Sequence, residues 1–270
     1  MIIAQISDTH IALDTPDADQ RVRDFERTIA DINALDPAPD VIIHTGDIVH
    51  NGRQDEYAEA ARILAKAKVP VYVIPGNKDD RENLRAAFSP RGYLRPGSDF
   101  IQYTVEDYPV RLIAVDTLNT QSNRGDFCLV RAKHLVDLIG ADAKKPIAVF
   151  AHHPPFEVLV GPHPLNFETP EMMARLREAL RHRGRIAAVF SGHVHRPAEG
   201  HVGNIPAIVV PCIATTLRRG EYPEHMKPCP VYYIHRFDID GSFTTAARIV
   251  GARPWAASAQ NAPAPPTAVE

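Results

Sequence analysis

Short apolar runs constrain the fold of this 270-residue chain more than any other feature. IIAQIS (2–7), VIIH (41–44), VYVI (71–74), IAVF (147–150), IAAVF (186–190) and AIVV (207–210) are rich in Ile and Val. They carry little apolar/polar alternation, the pattern of strands buried on both faces. Helical patterns lie between the early runs. Val22, Phe25, Ile29, Ile32 and Leu35 form an amphipathic stripe that stops before Pro37. Tyr57, Ala61 and Leu64 repeat that spacing ahead of Val71, and Asp79–Phe88 predicts a short third helix. Strand, helix, strand in this order predicts βαβ units and a largely parallel sheet.

The later chain reads differently. FIQYTV and VRLIAV, separated by Glu106-Asp107-Tyr108-Pro109, predict a hairpin, and helices are expected near 131–139 and 170–182. VYYIHRFDI (231–239) and SFTTAARIV (242–250) meet at Asp240-Gly241, a second hairpin signal. One α/β domain over residues 1–252 is expected, with a disordered Pro/Ala-rich tail at 253–270. The length is ample for a core without disulfides or a structural metal. With 30 basic and 33 acidic residues the formal charge is −3, which argues against a nucleic-acid-coating protein. The 3 cysteines are far apart with no C-x-x-C, so neither a disulfide framework nor a zinc ribbon is supported. The opening MIIAQISDTH has no basic leader region, and no apolar run reaches the ~18 residues of a membrane span. A soluble, cytoplasmic protein that does not enter membranes is the expectation.

The residues just after the apolar runs carry the chemistry. The runs lead into Asp8-Thr9-His10, Thr45-Gly46-Asp47, Pro75-Gly76-Asn77, His152-His153-Pro154 and Ser191-Gly192-His193-Val194-His195. Open α/β sheets bind ligands at the carboxyl ends of their strands. Each fragment alone is weak: Asn77 after Pro-Gly is by default a turn residue, and Asp47 by default a helix cap. Five such fragments in one context are not independent accidents. Asp8, His10, Asp47, Asn77, His152, His193 and His195 supply three oxygen donors and four imidazoles, too many for a closed structural zinc site. With one carboxylate bridging, they suit two ions ~3.5–4 Å apart, the clamp used for in-line displacement at phosphorus. Imidazole and carboxylate without thiolate favour transition metals such as Mn, Fe, Zn or Co. No G-x-S-x-G, Walker A or G-x-G-x-x-G motif is present.

In this order the motifs D-x-H, G-D, G-N-x-D, H-x-P and G-H-x-H resemble the calcineurin-like metallophosphoesterases over residues 1–215. The resemblance is closest to bacterial class III cyclic nucleotide phosphodiesterases and glycerophosphodiesterases. It implies a four-layer αββα sandwich with two mixed sheets and a dinuclear site at the strand ends. It also implies that Asp8, His10, Asp47 and His195 hold one metal, and Asp47, Asn77, His152 and His193 the other. The activity implied is hydrolysis of a small phosphodiester by a metal-activated water, with Asp47 bridging the ions. A phosphomonoesterase or nucleotide-sugar pyrophosphatase on the same site is the alternative. A non-catalytic scaffold is a remote third, because such relatives lose ligands and every ligand position is filled here.

Position 78 departs from the family pattern. Most members read G-N-H-D, and that histidine contacts the scissile phosphate; here the sequence is Gly76-Asn77-Lys78-Asp79. Lysine can still stabilise phosphate charge as a point cation, though it suits proton donation less well. Lys78 is therefore expected to bind substrate. His153, His163 and Asn166 are further candidates to line the substrate pocket, since relatives place specificity residues in that loop. Arg124 lies in a turn where solvation is the ordinary role, and His50 and His235 have no motif support. His44 reads equally as a core residue or a support for a ligand. Residues 212–235, where relatives build dimer contacts or a cap over the site, suggest a homo-oligomer; a nucleic-acid partner is not expected.

Overall fold

The computed structural model describes residues 1–94, 97–142, 144–160, 166–182 and 184–251; the expected tail and His163 lie outside them. The six apolar runs do not share one sheet. They divide equally between two.

The first sheet contains β1 (Ile2–Ile6), β2 (Val41–His44), β3 (Val71–Val73), β10 (Val231–Phe237) and β11 (Phe243–Ile249), in the order β11-β10-β1-β2-β3. β1, β2 and β3 pair in parallel, while β10 joins β1 antiparallel and forms the C-terminal hairpin with β11. The second sheet runs β4 (Tyr103–Val105), β5 (Arg111–Val115), β6 (Ile147–Ala151), β7 (Ile186–Ser191), β9 (Ile205–Val209) and β8 (Ala198–Val202). β5, β6, β7 and β9 are parallel, with antiparallel β4 and β8 on the two edges. Both sheets are mixed. β8 has no apolar signal, since Glu199, Gly200 and His201 are poor strand formers; pairing with β9 makes it a strand.

Alternation along the strands shows how the layers stack. In β6, Ile147, Val149 and Ala151 face a core shared with α4 (Leu129–Gly140) and α5 (Pro170–Leu180), whereas Ala148 and Phe150 join the core of the first sheet. That larger core also takes Phe25, Ile29 and Ile32 of α1 (Ala18–Asn33), Tyr57 and Ile63 of α2 (Gln54–Leu64), and Leu84 and Phe88 of α3 (Arg81–Phe88). The result is the αββα sandwich. Buried polar ties cross between the sheets, among them Tyr103 Oη of β4 donating to Val73 O of β3 at 2.7 Å. His235 of β10 stacks on Phe190 of β7 and bonds Gln5 Oε1 at 3.0 Å, and Gln5 Nε2 donates to Ser191 O at 2.9 Å. Among the described residues no helix is long and apolar enough to cross a membrane.

Candidate metal centre

The carboxyl ends of β1, β2 and β3 in one sheet face those of β6 and β7 in the other. All seven sequence-predicted ligands come together there. The first sheet brings Asp8, His10, Asp47 and Asn77; the second brings His152, His193 and His195. Asp8, His10, Asp47, His193 and His195 have φ between 45° and 74°, and they are the only non-glycine residues with positive φ among those described. Left-handed backbone is unfavourable for residues with a β-carbon, so five such residues at one site mark a place where tertiary structure overrides local preference. Backbone bonds hold the turns in register, with Asp8 N to Gly46 O, His10 N to Asp47 O and Gly192 N to His152 O at 3.0, 3.0 and 3.1 Å.

The donor atoms form two connected groups. Asp8, His10, Asp47 and His195 present ligand atoms within 4.8 Å of one another, and so do His152, His153 and His193. Asp47 joins the groups: its Oδ2 lies 3.5 Å from both His10 Nε2 and His152 Nε2. Its other oxygen accepts the Lys78 N–H at 2.7 Å, which clamps the Gly76-Asn77-Lys78 loop onto the carboxylate. Asn77 Oδ1 completes the second group, 3.1 Å from His152 Nε2 and 2.8 Å from His193 Nδ1.

The outer partners select the tautomers. His152 Nδ1 donates to Thr45 O at 2.8 Å, and His195 Nδ1 donates to Leu217 O at 3.0 Å. In the neutral rings both Nε2 atoms are then lone pairs. His152 Nε2 faces Asn77 Oδ1 and Asp47 Oδ2, and His195 Nε2 lies 3.4 Å from Asp8 Oδ1. Asp8 Oδ2 accepts the His193 N–H, leaving Oδ1 buried without a hydrogen-bond partner. Lone pairs that converge on lone pairs require a positive charge between them. Without a metal that charge must be a proton. Burial opposes it, yet Asp47 and Asp8 hold the His152 ring up at about 9. Burial likewise opposes charge on Asp8, but His195 holds its carboxyl at about 2. At His10 burial prevails and the ring drops to about 3.

The other candidate residues surround this cluster. Lys78 Nζ donates to Asn123 Oδ1 at 3.2 Å on the exposed side of the site. His153 is buried with both nitrogens engaged: Nε2 donates to Asn123 O at 3.2 Å and Nδ1 accepts from Thr117 Oγ1 at 2.8 Å. Its ring packs 4.3 Å from that of His193, buttressing the second group. The Asn166 amide bonds Phe156 O and Pro154 O, tying the loop after β6 to itself beside a pocket lined by Arg124, Glu157 and Phe167.

Asp79 has a role that its motif alone does not reveal. Its carboxylate accepts from Gly76 N, Ile48 N, Val49 N and Tyr57 Oη, at 2.8 to 3.3 Å, and so joins the loops after β2 and β3. His50 Nδ1 meets His10 Nδ1 at 3.5 Å. His44 donates from Nε2 to Thr9 Oγ1, which in turn donates to Ile48 O, pinning the Asp8-Thr9-His10 turn to the Asp47 loop. Thr45 O and Leu217 O carry no sequence signal at all, because every residue has a carbonyl.

The model of the calcineurin-like phosphoesterase family matches residues 1–197. A probable glycerophosphodiester phosphodiesterase from Arcobacter nitrofigilis is 29% identical over 93% of this chain and 94% of its own length. A probable cyclic nucleotide phosphodiesterase from Rhodopseudomonas palustris is 32% identical over 66% of this chain and 65% of its own length. The fold is that of a dimetal phosphatase from Danio rerio, with a TM-score of 0.69 at 15% identity, covering 92% of this chain and 96% of the other. Strand order, strand-end ligands and the matched family model agree: this chain belongs to the calcineurin-like phosphoesterase family.

Proposed function

We propose that the chain is a dinuclear metal-dependent phosphodiesterase acting on small diesters, a glycerophosphodiester or a cyclic nucleotide. The observation that carries this reading is the convergence of imidazole nitrogens from both sheets on Asp47, with Asp8 Oδ1 buried and without a hydrogen-bond partner beside them. The residues fit two ions. Asp8, His10, Asp47 and His195 would hold one, and Asp47, Asn77, His152 and His193 the other. Bound divalent ions supply Lewis acidity at phosphorus and acidify a water toward neutrality.

The chain's own residues do the rest. Thr45 O and Leu217 O keep the imidazole lone pairs aimed inward, which holds the donor set rigid before substrate arrives. Lys78 carries its ammonium on the exposed side, where it can bind a phosphoryl oxygen and oppose the charge that grows in the transition state. Of the two diester classes, the relative that matches nearly end to end favours glycerophosphodiesters.

A panel of glycerophosphodiesters, 2′,3′- and 3′,5′-cyclic nucleotides, an aryl phosphomonoester and a UDP-sugar, assayed with Mn²⁺, tests the proposal. Turnover of a diester at least tenfold above the monoester is expected, and preference for the monoester or the UDP-sugar would overturn it. Lys78→Ala is expected to lower kcat/KM on the preferred diester by on the order of 10²-fold. An unchanged value would remove Lys78 from the machinery.

A further inference from the structure

We propose that Asn123 is a positioning residue for the second metal site, acting through Lys78 on one side and Asn77 on the other. The inference rests on the dinuclear reading above. A single oxygen, Asn123 Oδ1, accepts from Lys78 Nζ at 3.2 Å and from Asn77 Nδ2 at 3.3 Å.

An asparagine amide has two ends of nearly equal size, one accepting and one donating, so only its hydrogen bonds decide which way it points. For Asn77 that choice is chemical, because only Oδ1 can ligate a cation. In the neutral His152 ring the Nε2 lone pair lies 3.1 Å from the amide, and a flipped NH₂ group could donate to it. The Asn123 oxygen opposes the flip, since a reversed Asn77 would set oxygen against oxygen.

Asn123 needs its own orientation fixed, and Lys78 supplies it. An ammonium can only donate, so the group facing Lys78 Nζ must be the Asn123 oxygen. A histidine at position 78 could donate or accept and would not impose that choice. Lysine thus starts a relay that ends with Asn77 Oδ1 aimed at His152 and His193. The backbone of Asn123 is itself held, because its carbonyl accepts from His153 Nε2 at 3.2 Å. Asp116 steadies the start of this loop through Arg81, at 2.7 and 2.8 Å.

Calorimetric titration of the metal-free full-length protein with Mn²⁺ tests this. Two binding steps are expected, the weaker belonging to the second group, which has only the shared Asp47 as a charged donor. Asn123→Ala should weaken that step about 10-fold and leave the tighter step and the melting temperature unchanged. Asn123→Asp keeps an acceptor toward both donors and should restore the step. Lys78→Met should weaken it as Asn123→Ala does. An Asn123→Ala isotherm that superimposes on wild type, equal weakening of both steps, or an Asn123→Asp variant as weak as the alanine would each overturn the relay. Two binding steps, only the weaker of them dependent on Asn123, in a protein that cleaves no phosphodiester would uphold the relay and sink the functional reading instead. Uptake of no metal at all would sink both.

Discussion

A β-carbon at Gly76 would collide with the Asp47 amide nitrogen and its Oδ1, the oxygen that clamps the next loop. Neither neighbour can yield, because one is backbone and the other belongs to the residue shared by both ligand groups. Gly76→Ala is therefore expected to destabilise the protein by about 1–3 kcal/mol in chemical denaturation. It should also lower Mn²⁺ stoichiometry; retention of both metal-binding steps would show that the loop has room to move. The same crowding explains why Asp8, His10, Asp47, His193 and His195 accept left-handed backbone, at about 1–3 kcal/mol each. That strain is tolerated because the turns bond to one another across both sheets.

Among the elements, α1 does more than cover the first sheet. Arg21 Nη1 donates to His10 O at 3.1 Å, and Asp24 Oδ2 accepts from both Thr215 N and Thr215 Oγ1, at 2.9 and 2.6 Å. Two residues later, Leu217 O fixes the His195 tautomer. A helix with no metal-competent residue in the cluster thus steadies two candidate ligands. Asp24→Ala would leave the Thr215 N–H and hydroxyl unpaired, and a loss of about 1–3 kcal/mol in stability is expected. The tighter Mn²⁺ step should weaken with it. If stability falls while that step stays put, the helix supports the fold and not the site. The amphipathic stripe of α1 is legible from its spacing. Its polar duties are not, because Asp24 and Thr215 are 191 positions apart and nothing local pairs them.

At the scale of the molecule, buried imidazoles set how stability depends on pH. Burial pushes His10, His44 and His235 down to about 3, and His153 well below its ordinary value of 6.5. The unfolded chain protonates these rings near 6.5, so their contribution is present above that pH and is lost as pH falls. His152 behaves oppositely. With its ring held at about 9, its contribution is complete below 6.5 and is lost as pH rises through 9. The metal-free protein should therefore melt at its highest temperature near pH 6.5 to 7, with a decline on both sides. Saturating Mn²⁺ should flatten the alkaline decline, because the metal replaces the proton on His152. A melting temperature that keeps rising from pH 7 to 9 without metal would contradict this.

Residue order along the chain is enough to show which side chains are able to bind metal and where they stand. Ile/Val runs mark buried strands through hydrophobicity alone, and D-x-H, G-D, G-N, H-H-P and G-H-x-H mark the ends of those strands. The lysine at position 78, in place of a histidine, is equally plain from the order of residues. Three-dimensional packing was needed to show that the runs split between two sheets, that β8 is a strand, and that Asp47 Oδ2 stands between the two imidazole groups. The choice of imidazole tautomer by Thr45 O and Leu217 O, and of amide orientation by Asn123, also belongs to that level. The physical reason is common to all of these. Ligand identity is a property of a side chain, whereas aim is set by hydrogen bonds between residues far apart in sequence, many of them to backbone carbonyls that every residue carries.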